Sequence, residues 1–197
     1  MKINLIKYPN DEDWLRVRNA ALATQRKSSN ETPSSNLRLK FLMSEHSQIR
    51  LLEYEWEFED IEYWISVHFV RHHEGITHFV SSQRNDIQKI YDRRLAPQNS
   101  LVNHRCVANA QAILNISKAR LCMNASIETR WSWIQFLDSI EHISPELAHL
   151  CVRPCVYRGS VCPEVFKSCG YNKTERFQKE LGQYQNYFKE YEKKKNE

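Results

Sequence analysis

HFVRHHEGITHFVSSQR, residues His68 to Arg84, sets four histidines and two arginines around one glycine, with Glu74 as the single acid. Cations at this density are unfavourable to fold around unless an anion or polar ligand neutralises them, so the stretch reads either as a solvated basic loop or as a ligand site. Its flanks decide the local structure. Ile61, Trp64, Ile65 and His68 recur at helical spacing, so a helix over Ile61–His73 delivers the basic cluster, Gly75 ends it, and Thr77–Ser81 returns as a strand. Just upstream, Leu51–Phe58 alternates Leu52, Tyr54, Trp56 and Phe58 with Glu53, Glu55 and Glu57. One aromatic face and one acidic face predict a half-buried antiparallel strand.

Working outward, Ile3 and Leu5 mark a short strand before the Pro9-Asn10 turn, a helix follows over Asp11–Gln25, and Arg26–Asn36 reads as a loop. Downstream, RRLAPQNS (Arg93–Ser100) is a turn fixed by Pro97, Leu101–Val107 a strand, and Asn109–Cys122 a helix. In that helix Asn109, Ala112, Ile113, Ile116 and Arg120 share one stripe, so an apolar face finishes in an arginine that either reaches water or meets a ligand. The helix over Ile127–Ile140 is apolar around more than half its circumference, which predicts cover on two sides, by the core or by a second subunit. A last helix is expected from an Asn172–Glu175 capping box, with Phe177, Leu181, Tyr184, Phe188 and Tyr191 on one stripe and fraying over Glu192–Glu197.

The 197 residues, 41% hydrophobic and 26% charged, suit a single α+β domain over residues 1–197. A net charge of +4 is too small to announce nucleic-acid binding and fits small anionic ligands better. MKINLIKYPNDEDW lacks the apolar run of a signal peptide, and no later stretch is apolar enough to cross a bilayer, so a cytoplasmic protein with reduced thiols is expected. Of the six cysteines, Cys151, Cys155, Cys162 and Cys169 crowd a segment rich in proline and glycine. They suggest either buried thiols or a structural zinc held by Cys155, Cys162 and Cys169, with Cys122 or Cys151 as fourth ligand.

The basic stretch resembles the signature of the flavin-dependent thymidylate synthases, R-H-R-x-x-S-x-N-x-x-S-x-R-Y. Arg71 and His72 match its first positions, and Ser82-Gln83-Arg84 matches S-x-R with one extra residue in the loop. NAQAILNISKAR, Asn109–Arg120, resembles the family's N-A-R-S-L-x-N-F-x-x-L-R helix at unbroken spacing, agreeing at Asn109, Ala110, Asn115 and Arg120. Arg93 and Pro97 fall where the family has A-R-x-x-L-P, and Glu45-His46-Ser47 is loosely similar to its H-x-S segment. His73 and Gln111 stand in place of arginines, and Asn85 in place of the tyrosine.

The resemblance implies an antiparallel sheet flanked by helices, followed here by the cysteine-rich segment and terminal helix. It also implies an enzyme in which FAD is reduced by NADPH and methylenetetrahydrofolate supplies one carbon to C5 of dUMP, within a homotetramer. By family position His68, Arg71, Ser82, Arg84, Arg93 and Arg120 would bind the pyrimidine nucleotide, with Arg120 catalytic. Ser47, Arg71, His72, His73, Asn109, Gln111 and Asn115 would line the flavin. Transfer of a hydroxymethyl or another one-carbon group, and flavin or nucleotide binding without turnover, remain open beside dUMP methylation; a nucleic-acid module ranks last.

Overall fold

EYEWEFEDIE forms a strand because its alternation gives the sheet one side to bury: Tyr54, Trp56 and Phe58 are fully buried while the glutamates between them are not. In the computed structural model, which describes residues 1–88 and 92–193, four strands form an antiparallel sheet among the described residues. They are β1 (Lys2–Lys7), β2 (Glu53–Glu62), β3 (Ile76–Val80) and β4 (Leu101–Asn109), in the order β1-β2-β4-β3. The pairing of β2 with β4 slips between Phe58 and Ile61, where Asp60 takes φ 55° and its N–H bonds to Asn103 Oδ1. This bulge returns Ile61 to the buried side although three positions separate it from Phe58.

The helices are α1 (Asp11–Ala23), α2 (Ser35–Ser44), α3 (Tyr63–Val70), a single turn α4 (Asn85–Gln88), α5 (Ala110–Arg120), α6 (Ile127–Glu141), α7 (Pro145–Leu150), the short α8 (Pro154–Tyr157) and α9 (Glu175–Lys193). The aromatic side of the sheet packs on α6 and α3: Trp56 stacks on Phe136 at 4.1 Å between centroids, and Phe58 on Phe69 at 5.1 Å. Each such side chain contributes roughly 1.5–3 kcal/mol by leaving water. A smaller apolar cluster of Val152, Cys155, Val156, Tyr171 and Phe177 seats α9. No helix among the described residues is long and apolar enough to cross a membrane.

Several boundaries differ from the sequence expectations for physical reasons. The expected helix from Ile61 begins only at Tyr63, because the bulge carries β2 through Glu62, and it ends at Val70, so Arg71, His72 and His73 lie on a connection. Residues 35 and 36 are helical rather than loop, since Ser34 Oγ caps α2 by accepting the Leu37 N–H. α2 and α7 escape the pattern reading because each buries only a short apolar edge, Leu39 and Leu42 against Leu147 and Leu150. The cap of α9 is Thr174, whose Oγ1 accepts the Phe177 N–H, while Asn172 sits in a preceding 3-10 turn. The side chain of Tyr191 and residues 194–197, the rest of the tail expected to fray, lie outside the described residues. On α6 the chain buries Trp133, Phe136, Leu137 and Ile140 but leaves Ile127 and Trp131 more than half exposed, so it covers one side of that helix and not both.

Candidate functional site

The turn after α3 is shaped by Gly75, which takes φ +72° and offers its carbonyl to the Asn109 N–H at 2.9 Å. A Cβ there would lie 2.6 Å from Asn109 Nδ2, so only glycine lets this turn meet the start of α5 so closely. Asn109 Oδ1 in turn caps α5 by accepting the Ala112 N–H at 2.9 Å. Between the turn and α5 lies a cleft of about 140 Å³ lined by Arg71, His72, His73, Glu74, Ala112, Asn115 and Ile116.

Arg120, in the last turn of α5, reaches back to the end of α3 and the connection after it. Its Nε donates to His72 Nε2 at 2.8 Å and its Nη2 to the His68 carbonyl at 2.5 Å. A guanidinium can only donate, so His72 accepts at Nε2 and carries its proton on Nδ1. Behind it, His78 Nε2 meets the His72 carbonyl at 2.7 Å and must donate. With neutral rings the remaining protons are then fixed: His78 Nδ1 accepts from His104 Nε2 at 2.9 Å, and His104 Nδ1 accepts from the Ser66 hydroxyl at 3.0 Å. Burial, aided by Arg120, His78 and His73, pushes His72 down to about 4, and burial with His78 does the same to His104. His68, bonded to Thr129 Oγ1 at 2.8 Å, is also held below the usual imidazole range by burial, Arg120 and Arg71.

The consequence is an uncompensated positive site. Neither Arg71 nor Arg120 forms an ion pair with a carboxylate among the described residues, and their mutual repulsion adds to burial in pulling the Arg120 pKa down. Guanidinium stays charged all the same. Two arginines at a cleft whose one lining acid, Glu74, pairs with neither of them fit a phosphate or an electron-rich ring edge.

A second cleft, of about 540 Å³, opens beyond β3 between Tyr63, Ser82, Gln83, Arg84, Arg93 and Pro97. Arg84 is paired with Asp86, at 3.0 Å from Nε and 2.5 Å from Nη2, and Arg94 with Asp92. The Arg93 side chain makes no hydrogen bond or ion pair among the described residues, although its N–H bonds to Asn85 Oδ1. Gln83 Nε2 is buried with no partner.

No protein-family profile matches the sequence, and no curated protein does. Solved structures do. The crystal structure of Helicobacter pylori flavin-dependent thymidylate synthase ThyX, complexed with FAD and dUMP, matches 78% of this chain and 100% of its own with a TM-score of 0.60 and 13% identity. A second H. pylori Thymidylate Synthase X structure, also with FAD and dUMP, matches 77% of this chain and 99% of its own with a TM-score of 0.56 and 12% identity. The fold is ThyX-like.

Within the ThyX-like frame the predicted residues divide between the two clefts. Arg71, His72, His73 and Asn115 line the first, with Arg120 and His68 directly behind them, and Ser82, Arg84 and Arg93 line the second. Asn109 serves as a helix cap beside the first cleft. Gln111 is drawn off to Glu45 at 2.7 Å, in a cluster where Lys118 also reaches both Glu45 oxygens at 3.0 Å. Burial alone would raise the Glu45 carboxyl, but hydrogen bonds from Gln111 and Lys118 hold it below the usual range. Ser47 is exposed at the start of a 3-10 turn, outside both clefts.

Ser66, His78 and His104 are the members that the motif comparison did not supply. His104 had a signal, since it holds an inward position in the β4 series Val102, His104, Cys106, Ala108 where its neighbours are apolar. His78, His104 and Cys106 also form the one group of three potential metal ligands lying within 4.8 Å of one another among the described residues. Every ring nitrogen of the two histidines already has a hydrogen-bond partner, so the group fits a proton-ordered network better than a metal. Of the cysteines proposed for zinc, Cys122, Cys155, Cys162 and Cys169 line one cavity, whereas Cys151 lies in the main core.

Proposed function

We propose that this chain transfers a one-carbon unit to C5 of a uracil nucleotide using FAD, with dUMP as acceptor, methylenetetrahydrofolate as donor and NADPH as reductant. The observation that carries the reading is the pair Arg71 and Arg120, two guanidiniums that form no ion pair among the described residues, with Arg120 aimed by a neutral His72. The FAD and dUMP held by the ThyX structures of matching fold support the same ligands here. Arg71, His72, His73 and Asn115 offer donors and flat faces that suit a flavin ring. One chain supplies only part of the enclosure, since a cleft of about 140 Å³ is smaller than the roughly 300–1,000 Å³ of ordinary small-molecule pockets. The exposed Trp131 and Ile127 on α6 support a subunit interface, as a homotetramer would require.

Bound FAD would supply the reducing equivalents, and the protein's share is binding, orientation and charge. Ser82, Arg84 and Arg93 bind phosphate in the second cleft, where the partnerless Gln83 Nε2 adds a donor. Arg120 stabilises negative charge that develops on the pyrimidine as its C5 becomes nucleophilic. His72, kept neutral, holds Arg120 in place without cancelling its charge. Ala112 and Ile116 keep water from the floor of the first cleft.

Size-exclusion chromatography with absorbance detection, followed by single-turnover oxidation of reduced FAD in the presence of dUMP and methylenetetrahydrofolate, tests this reading. A yellow oligomer that forms dTMP is the expected result. A colourless monomer that takes up no FAD on titration overturns it.

A further inference from the structure

Cys122, Cys155, Cys162 and Cys169 come from separate parts of the chain yet line one cavity of about 10 Å³. Cys122 stands two residues beyond Arg120 at the end of α5, Cys155 lies in α8, and Cys162 and Cys169 lie in the connection of residues 158–170. The last three repeat as C-x6-C-x6-C. Space of this size takes one water-sized species. Cys106 and Cys151 lie elsewhere, in the sheet and the main core, so the gathering is specific to these four.

The connection that carries two of them has little else to hold it. Residues 158–170 form no helix or strand, and their apolar side chains face solvent, with Val165 87% and Phe166 100% exposed. The segment therefore gains no hydrophobic anchorage. Beyond the backbone turn that bonds residues 158–160 to α8, it is tied by Asn124 Nδ2 to the Lys167 carbonyl and Asn172 Nδ2 to the Ser160 carbonyl, both at 2.9 Å, and by the Cys122 thiol to Glu164 at 3.8 Å. An irregular connection that converges its cysteines and buries no apolar side chain is what a metal-stapled loop looks like.

Arg153, on the wall of the same cavity, supplies an independent observation. Its Nη1 bonds to Glu180 at 2.6 Å and its guanidinium lies 4.6 Å above the Tyr171 ring, yet Nε is buried with no partner. A buried N–H left unmade is unfavourable, so a nearby acceptor is expected. A thiolate is such an acceptor, and a charged donor beside a metal-bound sulfur is the common arrangement around such sites.

We propose that Cys122, Cys155, Cys162 and Cys169 bind one zinc ion as a tetrathiolate, stapling the 158–170 connection to the C-terminal end of α5. Four soft thiolates and no open position suit a structural zinc. In the binding step Zn2+ replaces four thiol protons, which pass to solvent, and four Zn–S bonds form at about 2.3 Å to give a site of net charge −2. No three of the four sulfurs lie within 4.8 Å of one another here, so ligation needs the thiols to turn inward; rotation between staggered side-chain wells and adjustment of the lightly held 158–170 backbone provide it. The Nε of Arg153 then donates to sulfur, and its charge offsets part of the −2. Because Cys122 follows Arg120 so closely, the staple also fixes the helix end from which Arg120 reaches His72 and His68.

The test uses the full chain purified without chelator. Elemental analysis should give about one equivalent of zinc, and cobalt(II) added after zinc extraction should show thiolate-to-metal charge transfer and tetrahedral ligand-field bands that zinc abolishes. Cys162→Ser and Cys169→Ser should each lose the metal while keeping the near-ultraviolet circular dichroism of the aromatic core, and Cys151→Ala should retain it. Chelation should speed proteolytic cleavage within residues 158–170 by at least about tenfold. Less than about a tenth of an equivalent of zinc with no cobalt spectrum overturns the proposal. Disulfides among these four cysteines in the native mass, or zinc that survives both serine variants and is lost on replacing His78, overturn it as well.

Discussion

The two clefts differ in what holds their arginines. Arg120 rests on a neutral imidazole and a backbone carbonyl, partners that fix its direction and leave its charge whole. Arg84 and Arg94 each fold back on an aspartate two positions away, at an exposed site where the ion pair neutralises them. Such exposed pairs contribute little and exchange readily for a better anion. A charge meant for a developing transition state must be aimed beforehand by rigid elements, whereas one meant for phosphate can wait on a loop in a salt bridge.

Breaking the aimed side should have the largest effect. Arg120→Lys is expected to keep the fold and most nucleotide affinity and to slow single-turnover flavin oxidation on the order of a hundred- to a thousandfold, because a point-charge ammonium cannot make the two-directional contact to His72 and His68. On the loop side, Arg84→Ala or Arg93→Ala should weaken dUMP binding by roughly 10- to 100-fold, with a much smaller change in turnover at saturation, since a phosphate contact acts equally on ground and transition states. Equilibrium titration beside the single-turnover rates separates the two outcomes. Equal loss of affinity in all three variants, with no rate effect peculiar to Arg120, would merge the clefts into one anion clamp.

Gly75→Ala tests the support of the aimed side. It places a Cβ against Asn109 and forces a side chain into positive φ, so unfolding in urea should report a loss of about 1–3 kcal/mol. The last test is the pH dependence. His72 and His104 titrate near 4 when folded and in the ordinary imidazole range when unfolded, so between about 6.5 and 4 the unfolded chain binds protons that the folded one does not. Stability should therefore be full above pH 6.5 and fall towards pH 4, by at most about 1.4 kcal/mol per pH unit for His104 and by less for the partly exposed, solvent-screened His72. Urea midpoints at pH 7 and 5 check the sign, and His72→Gln should flatten the slope.

Much of the architecture could be read directly. The alternation through Phe58, the short strand ahead of Pro9 and the stripe of Ala112, Ile113 and Ile116 each state a local rule that the folded chain obeys. The reading failed where tertiary contacts outweighed local pattern. The bulge at Asp60 kept β2 going past the start of the expected helix, and α2 and α7 form because each covers the other's apolar edge. In the site, Arg71, His72 and Arg120 were legible as residue types in a motif. Their division from Ser82, Arg84 and Arg93 into a second cleft was not, because it depends on how far β3 carries the chain before the loop begins.

By itself the sequence determined the composition of each part: which face of each strand is apolar, where glycine must turn the chain, and which segments concentrate cations and thiols. Only the tertiary structure decided the proton order from Ser66 through His104 and His78 to His72, and the gathering of Cys122 with Cys155, Cys162 and Cys169. The physical reason is common to both. A hydrogen bond or a ligand set is a relation of a few ångströms between side chains from distant parts of the chain, and residue spacing carries that distance only within one element.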